Sequence, residues 1–153
     1  MVKTVLEIKN LVVTYETRDG VVQALNDVNL TMVEGQALGL VGETGAGKTT
    51  LAKSIMRLIP SPPGVIRNGQ IIYNGENLLE LSKEKMQTIR GKEISLIFQD
   101  PMTSLNPVMT VGEQIAEAMV AHQKLSAKEA EKKAKEMLEL VGIQPERYGD
   151  YPH

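Results

Sequence analysis

Gly42-Glu43-Thr44-Gly45-Ala46-Gly47-Lys48-Thr49, followed by Thr50, fits the spacing G-x-x-x-x-G-K-[ST] of a loop that cradles phosphate. The flanks agree with the match. Ahead of it, Ala37-Leu38-Gly39-Leu40-Val41 is short and apolar, which predicts one buried strand. Behind it, residues 50–58 put Leu51, Ile55 and Leu58 on one helical face. A chance glycine-rich turn before a helix would need both flanks to be accidental. Glycines at 42, 45 and 47 let the backbone close around an anion where a Cβ would obstruct it. Amides of Gly42, Glu43, Thr44, Gly45, Ala46, Gly47, Lys48, Thr49 and Thr50 are then candidate phosphate donors, helped by the helix dipole. Lys48 is a flexible point cation suited to terminal phosphates. The Thr49 hydroxyl is placed to ligate Mg²⁺, which favours hard oxygens and bound phosphate.

The chain has 153 residues, enough for one respectable core. Its 42% hydrophobic and 24% charged content is that of an ordinary globular protein. A net charge of −2 gives no reason to expect nucleic acid as a partner. The absence of cysteine excludes disulfides, thiolate zinc sites and cysteine nucleophiles. No stretch approaches the roughly 20 apolar residues of a membrane span, so any membrane contact is expected through partners alone.

Residues 5–15 alternate loosely and are rich in β-branched side chains, which predicts one or two strands broken near Lys9-Asn10. Arg18-Asp19-Gly20 signals a turn, and residues 21–33 resume strand character, so an antiparallel ribbon is expected. Pro60-Ser61-Pro62-Pro63-Gly64 forces an irregular connection. Residues 69–75 read as a strand ending in an Asn-Gly turn. Ser82 can cap a helix reaching Arg90 with Gly91 as its stop, and residues 94–98 read as a second buried strand. Thr110-x-x-Glu113 and Ser126-x-x-Glu129 are capping boxes that open two helices. The second carries Ala130, Ala134, Met137, Leu138 and Val141 on one face and ends at Gly142. Composition turns helical near Thr110, which suggests a boundary between residues 1–109 and 110–153.

Ile97-Phe98-Gln99-Asp100-Pro101-Met102-Thr103-Ser104-Leu105-Asn106-Pro107 resembles the Q-loop of ABC-transporter ATPases of the dipeptide, oligopeptide and nickel importer type. Gln99 follows Lys48 at that family's spacing. Val41 to Thr50 and Ala24-Leu25-Asn26-Asp27-Val28-Asn29-Leu30 fit the same family, so the resemblance covers the whole chain. It implies an α/β fold of the P-loop NTPase type, with an N-terminal antiparallel β-subdomain and the start of a helical subdomain. It implies ATP and Mg²⁺ as cofactors and a role in powering peptide import by ATP binding and hydrolysis. It also places the subunit peripherally, on the cytoplasmic face of the cell membrane. Tyr15 stands where such ATPases stack an aromatic on adenine, and Ala24 is a candidate neighbour of that site. Gln99 is similar to the glutamine that reaches Mg²⁺ and the attacking water, and its amide suits both tasks. Residues 101–107 resemble the contact surface for transmembrane permease subunits. A second ATPase subunit, identical or not, is the other implied partner.

In the resembling family Tyr151-Pro152-His153 stands just before the signature motif, with the Walker B strand, D-loop and switch histidine still to come. None of these is in the chain. It therefore reads as the N-terminal part of an ATPase subunit, expected on its own to bind phosphate without turnover and to be an unstable or self-associating fold. A nucleotide-binding module without turnover, or a different P-loop enzyme such as a small kinase, are the alternatives. The Q-loop run argues against the kinase. His122 and His153 are not expected to bind metal.

Overall fold

The computed structural model describes residues 2–100 and 104–153, which form two compact units, Met1–Gln87 and Thr88–His153. In the first unit, β1 (Thr4–Thr17) is the middle of the sheet. It pairs antiparallel with β2 (Gly20–Val33) on one side and with β3 (Gly64–Tyr73) on the other. A two-residue strand β4 (Glu76–Asn77) extends β3, giving the order β2-β1-β3-β4.

The parity of β1 changes partway along. Leu6 and Ile8 face the core in its first half, Leu11 and Val13 in its second. An inserted residue is what flips a strand's faces, and the register slips between Ile8 and Leu11, where Asn10 sits at φ 47°. The break expected at Lys9-Asn10 is thus a bulge within one strand. All three strands accommodate it. Asp27 of β2 is at φ 51°, and the Asn10 side-chain amide donates to its carboxylate at 2.8 Å, while Asn10 N donates to Asn29 Oδ1 at 2.9 Å. On β3, a Cβ at residue 69 would lie 2.6 Å from Leu11 Cα, so only glycine passes there. The Asn-Gly turn after β3 has both residues at positive φ, 46° and 86°, the geometry that matches a twisted hairpin.

Two sequence expectations in this unit are corrected. Residues 37–41 carry no strand: no ladder among the described residues pairs with them, and Leu38, Leu40 and Val41 are 44%, 49% and 96% exposed. An apolar run becomes a strand only when another backbone satisfies its N–H and C=O groups. The helix after the loop, α1 (Lys48–Ile55), stops short of Leu58, which is exposed. Its buried side is Leu51 and Ser54. Arg57 adopts φ 50°, Arg57 N donates to Ser54 O and Leu58 N to Lys53 O, a Schellman ending built without glycine. Guanidinium bonds from Arg57 to the carbonyls of Leu78 (3.1 Å) and Leu81 (2.6 Å) hold that residue out of the helix.

Ser82 caps α2 (Lys83–Ile89), accepting from Lys85 N at 3.2 Å. Gly91, at φ 79°, reverses the chain, and Ile94 folds back to form a lone bridge with Arg90. The buried strand expected over residues 94–98 is not there. Only that bridge forms, at Ile94; residues 95–98 join no ladder among the described residues, and Ile97 is 91% exposed.

The second unit is built on α3 (Val111–Gln123) and α4 (Ala127–Leu140). Both open on complete capping boxes: Thr110 and Glu113 bond reciprocally, as do Ser126 and Glu129. Ala116, Ala130 and Ala134 form the seam, covered by Ile115, Met119, Leu125 and Tyr148. Leu138 continues the α4 stripe. Met137 and Val141, expected on the same face, are 47% and 67% exposed. Residue 137 lies off the 130–134–138 row, and Val141 is already the C-cap. Gly142, at φ 79°, then ends the helix as expected. No helix among the described residues is long and apolar enough to cross a membrane.

Tyr148, on the 3₁₀ turn Pro145–Gly149, lies flat against Gly112, and Lys135 Nζ sits 5.2 Å over its ring. A Cβ at residue 112 would come within 2.1 Å of the ring. Gly112→Ala is expected to destabilise this unit by about 1–3 kcal/mol, the usual cost of forced overpacking. An unchanged thermal midpoint would contradict this. The caps predict a pH response. Bonds from Thr110 backbone, then side chain, hold the Glu113 carboxyl below its ordinary 4.5, and bonds from Ser126 do the same for Glu129. Depressed folded-state values mean that this stabilisation is complete above the ordinary glutamate range and is lost as pH falls through the folded values. Helicity followed by circular dichroism should fall over that acidic window. The Glu113→Gln, Glu129→Gln double variant, which keeps the bonds without the charge, should flatten the response.

Candidate functional site

The phosphate loop connects β2 and the exposed segment that follows it to α1. Its glycines are not interchangeable. Gly45 and Gly47 take φ 86° and 84°, in the left-handed region that glycine reaches without strain. Gly47 is doubly constrained, because a Cβ there would lie 2.6 Å from the carbonyl oxygen of Ala24 and 2.8 Å from Leu25 Cδ2 on β2. This contact seats the start of α1 against the sheet. Ala46 N donates to Glu43 O at 3.1 Å and tightens the loop, while a Cβ at Gly42 would crowd that of Ala46 at 3.1 Å.

Lys48 is the first residue of α1. Its ammonium curls back over the loop and donates to the carbonyls of Gly42 (2.5 Å) and Glu43 (2.6 Å). The cation is thereby held at the loop's mouth, with a third N–H to give. Gly47 is the N-cap of α1 and has no side chain to cap with, and the first turn contains no acidic residue. The opening amides at Lys48, Thr49 and Thr50 are therefore the orphan donors of a helix start, and together with the dipole they suit an anion. Thr49 is exposed on that turn, as are Glu43 and Thr44 on the loop.

Tyr15, near the end of β1, is half-buried and packs beside Gly64 of β3. Its hydroxyl is 3.5 Å from Thr50 Oγ1, so the ring stands next to the first turn of α1. The Ser54 hydroxyl, fully buried, donates to Thr50 O at 2.6 Å and braces that turn. Ala24 meets the loop through its backbone oxygen at Gly47. Sequence reasoning had offered Ala24 as a neighbour of adenine and missed this contact.

Tyr15, Ala24, the loop, Lys48, Thr49 and Thr50 are thus collected in the first unit. Gln99 belongs to the second, exposed on a bend. Of the expected partner-contact segment, residues 101–103 lie outside the described residues. His122 packs against Gly91, where a Cβ would meet its Nε2 at 3.0 Å, and His153 lies by Tyr151 with ring centroids 6.0 Å apart. Among the described residues no group of three or more His, Asp or Glu side chains could hold a metal. The Thr49 hydroxyl stands exposed on the first turn of α1, beside the loop. Mg²⁺ keeps several waters and takes few protein oxygens beside substrate phosphates, so a lone hydroxyl at that place is compatible with the ion.

The chain is 49% identical over 154 residues to the oligopeptide transport ATP-binding protein OppD of Bacillus subtilis, covering 99% of this chain and 43% of that protein. It is 44% identical over 151 residues to the dipeptide transport ATP-binding protein DppD of the same organism, covering 97% and 45%. A probable peptide ABC transporter ATP-binding protein of Sinorhizobium fredii is 48% identical over 150 residues, at 97% and 45% coverage. The chain therefore spans less than half the length of these curated relatives. The fold is that of the ATP-binding cassette MJ0796. Its dimeric post-hydrolysis structure with ADP and Pi superposes with a TM-score of 0.79 at 24% identity, covering 96% of this chain and 61% of that one. A second dimeric MJ0796 structure gives 0.76. The family model for ABC transporters matches residues 25–151, and the chain belongs to that family.

Proposed function

We propose that this chain is the nucleotide-gripping part of an ATP-binding subunit that powers a peptide-importing ABC transporter. The observation that carries the reading is the start of α1: a helix opening on Gly47 with no side-chain cap, and Lys48 pinned across the loop mouth by two carbonyls. Loop amides and Lys48 grip the phosphates of ATP. Tyr15 offers its ring to the adenine. Thr49 and Gln99 are the residues that would hold Mg²⁺, whose charge offsets that of the phosphates. In the longer protein, Gln99 also orients the attacking water, and the charge that develops on the transferring phosphoryl group is met by donors already in place. Residues 101–107 face the permease subunits, a second ATPase subunit completes the assembly, and the whole sits on the cytoplasmic face of the membrane. Residues 1–109 make the nucleotide-binding core with its β-subdomain, and residues 110–153 begin the helical subdomain. Peptide as the cargo is supported by the names of the relatives.

Lys48→Ala should remove most ATP affinity, because no other residue of the loop carries a positive charge. Calorimetry giving the native affinity for the variant would overturn the site. Tyr15→Ala should weaken ATP binding by about 1–3 kcal/mol, the range for stacking a base on an aromatic ring. Tyr15→Phe should be close to neutral, since 3.5 Å to Thr50 is the outer limit of a hydrogen bond. A large loss with phenylalanine would show that the hydroxyl, not the ring face, is what counts.

A further inference from the structure

Gln114 lies in the first turns of α3, and its side-chain amide reaches back to the loop that leads into the helix. Oε1 accepts from Asn106 N at 2.8 Å. Nε2 donates to Asn106 O at 3.0 Å and to Met109 O at 3.2 Å, with Thr110 O at 3.5 Å. Both backbone groups of Asn106 are thus paired by one side chain, as a neighbouring strand would pair them. The rest of the loop hangs from Asn106. Val108 N donates to its Oδ1 at 3.1 Å and Met109 N to its carbonyl at 3.3 Å. Held this way, the loop presents Val108 at its tip, 78% exposed. The Thr110–Glu113 box already caps α3, so the helix does not need Gln114 in order to start. What Gln114 adds is the conformation of the loop.

We infer that Gln114 is a positioning residue. It locks residues 106–110 to α3, so that the loop meets the membrane-embedded partner in one preset shape, apolar tip first, and moves with the helix as one body. This rests on the reading above of residues 101–107 as the partner-facing segment, which residues 106 and 107 share with this loop. Nothing in the nucleotide grip involves Gln114, so its loss should separate binding from coupling.

The test uses the full-length subunit assembled with its permease subunits in vesicles. Gln114→Ala should leave ATP affinity unchanged, speed hydrogen exchange at the Asn106 and Met109 amides, and cut peptide uptake per ATP hydrolysed about tenfold. Gln114→Glu is the sharper probe. Its carboxylate can accept from Asn106 N but confronts the carbonyls of Asn106 and Met109 with no proton to offer. Protonation restores one donor and one acceptor in the native layout. Coupling and amide protection in Gln114→Glu should therefore recover as the carboxylate is protonated, on acidification through the glutamate range from about 7 to about 4, beyond any change in the native protein. The native protein run in parallel subtracts any response that does not come from residue 114, with Glu113, Glu117, Asp150 and His153 the other ionisable side chains of these segments. Native coupling and exchange in Gln114→Ala, or a Gln114→Glu deficit that ignores pH, would overturn the positioning role. Failure of the native protein to bind ATP would instead overturn the functional reading, and this inference with it.

Discussion

No Cβ fits at residue 47. With Ala24 O and Leu25 of β2 both closer to that position than any carbon tolerates, the first turn of α1 can sit where it does only if the residue before Lys48 is glycine. The consequences run outward from there. Lys48 starts the helix at a point from which its ammonium returns to the carbonyls of Gly42 and Glu43. Thr50 lands beside the Tyr15 hydroxyl, and Ser54 is buried one turn later with its own hydroxyl spent on Thr50 O. The strand, the loop and the aromatic that make up the candidate nucleotide site are therefore registered to one another through a close backbone approach.

How much of this could be read in the sequence follows from how far each feature reaches along the chain. Capping boxes, the Asn-Gly turn and the glycine loop are settled within a few residues, and all stand where the sequence puts them. The bulge at Asn10 was legible as a break and not as a bulge, because its partners at Asp27 and Gly69 are on other strands. Residues 37–41 and 94–98 failed for the same reason. Their composition encodes a wish for burial, but a strand also needs a second backbone, and no local pattern says whether one is supplied. Arg57 escaped because a left-handed arginine is stabilised by the carbonyls of Leu78 and Leu81, far along the chain. In the site, Gly42 to Thr50 could be recognised from the motif alone, whereas Gln114 could not. Its partners are backbone groups of a loop whose shape the sequence does not announce.

The three longer helices show one requirement met in two ways. A helix start leaves amides without partners, and those of α3 and α4 are bonded by Thr110, Ser126 and the glutamates three residues on. Such a start is closed. It gains stability from its own residues, and its carboxylate repels any other anion. At α1 the same amides follow a glycine that supplies no acceptor, with no acidic side chain in the first turn. That start forgoes the cap, which is worth about 1 kcal/mol elsewhere, and keeps its donors for a ligand. The ligand must then bring what Thr110 and Glu113 bring to α3, namely negative charge and oxygen acceptors, and a chain of phosphates brings both. A helix made less stable on its own account is in this way the one able to be stabilised by what it binds, which links the folding of the loop to its occupancy.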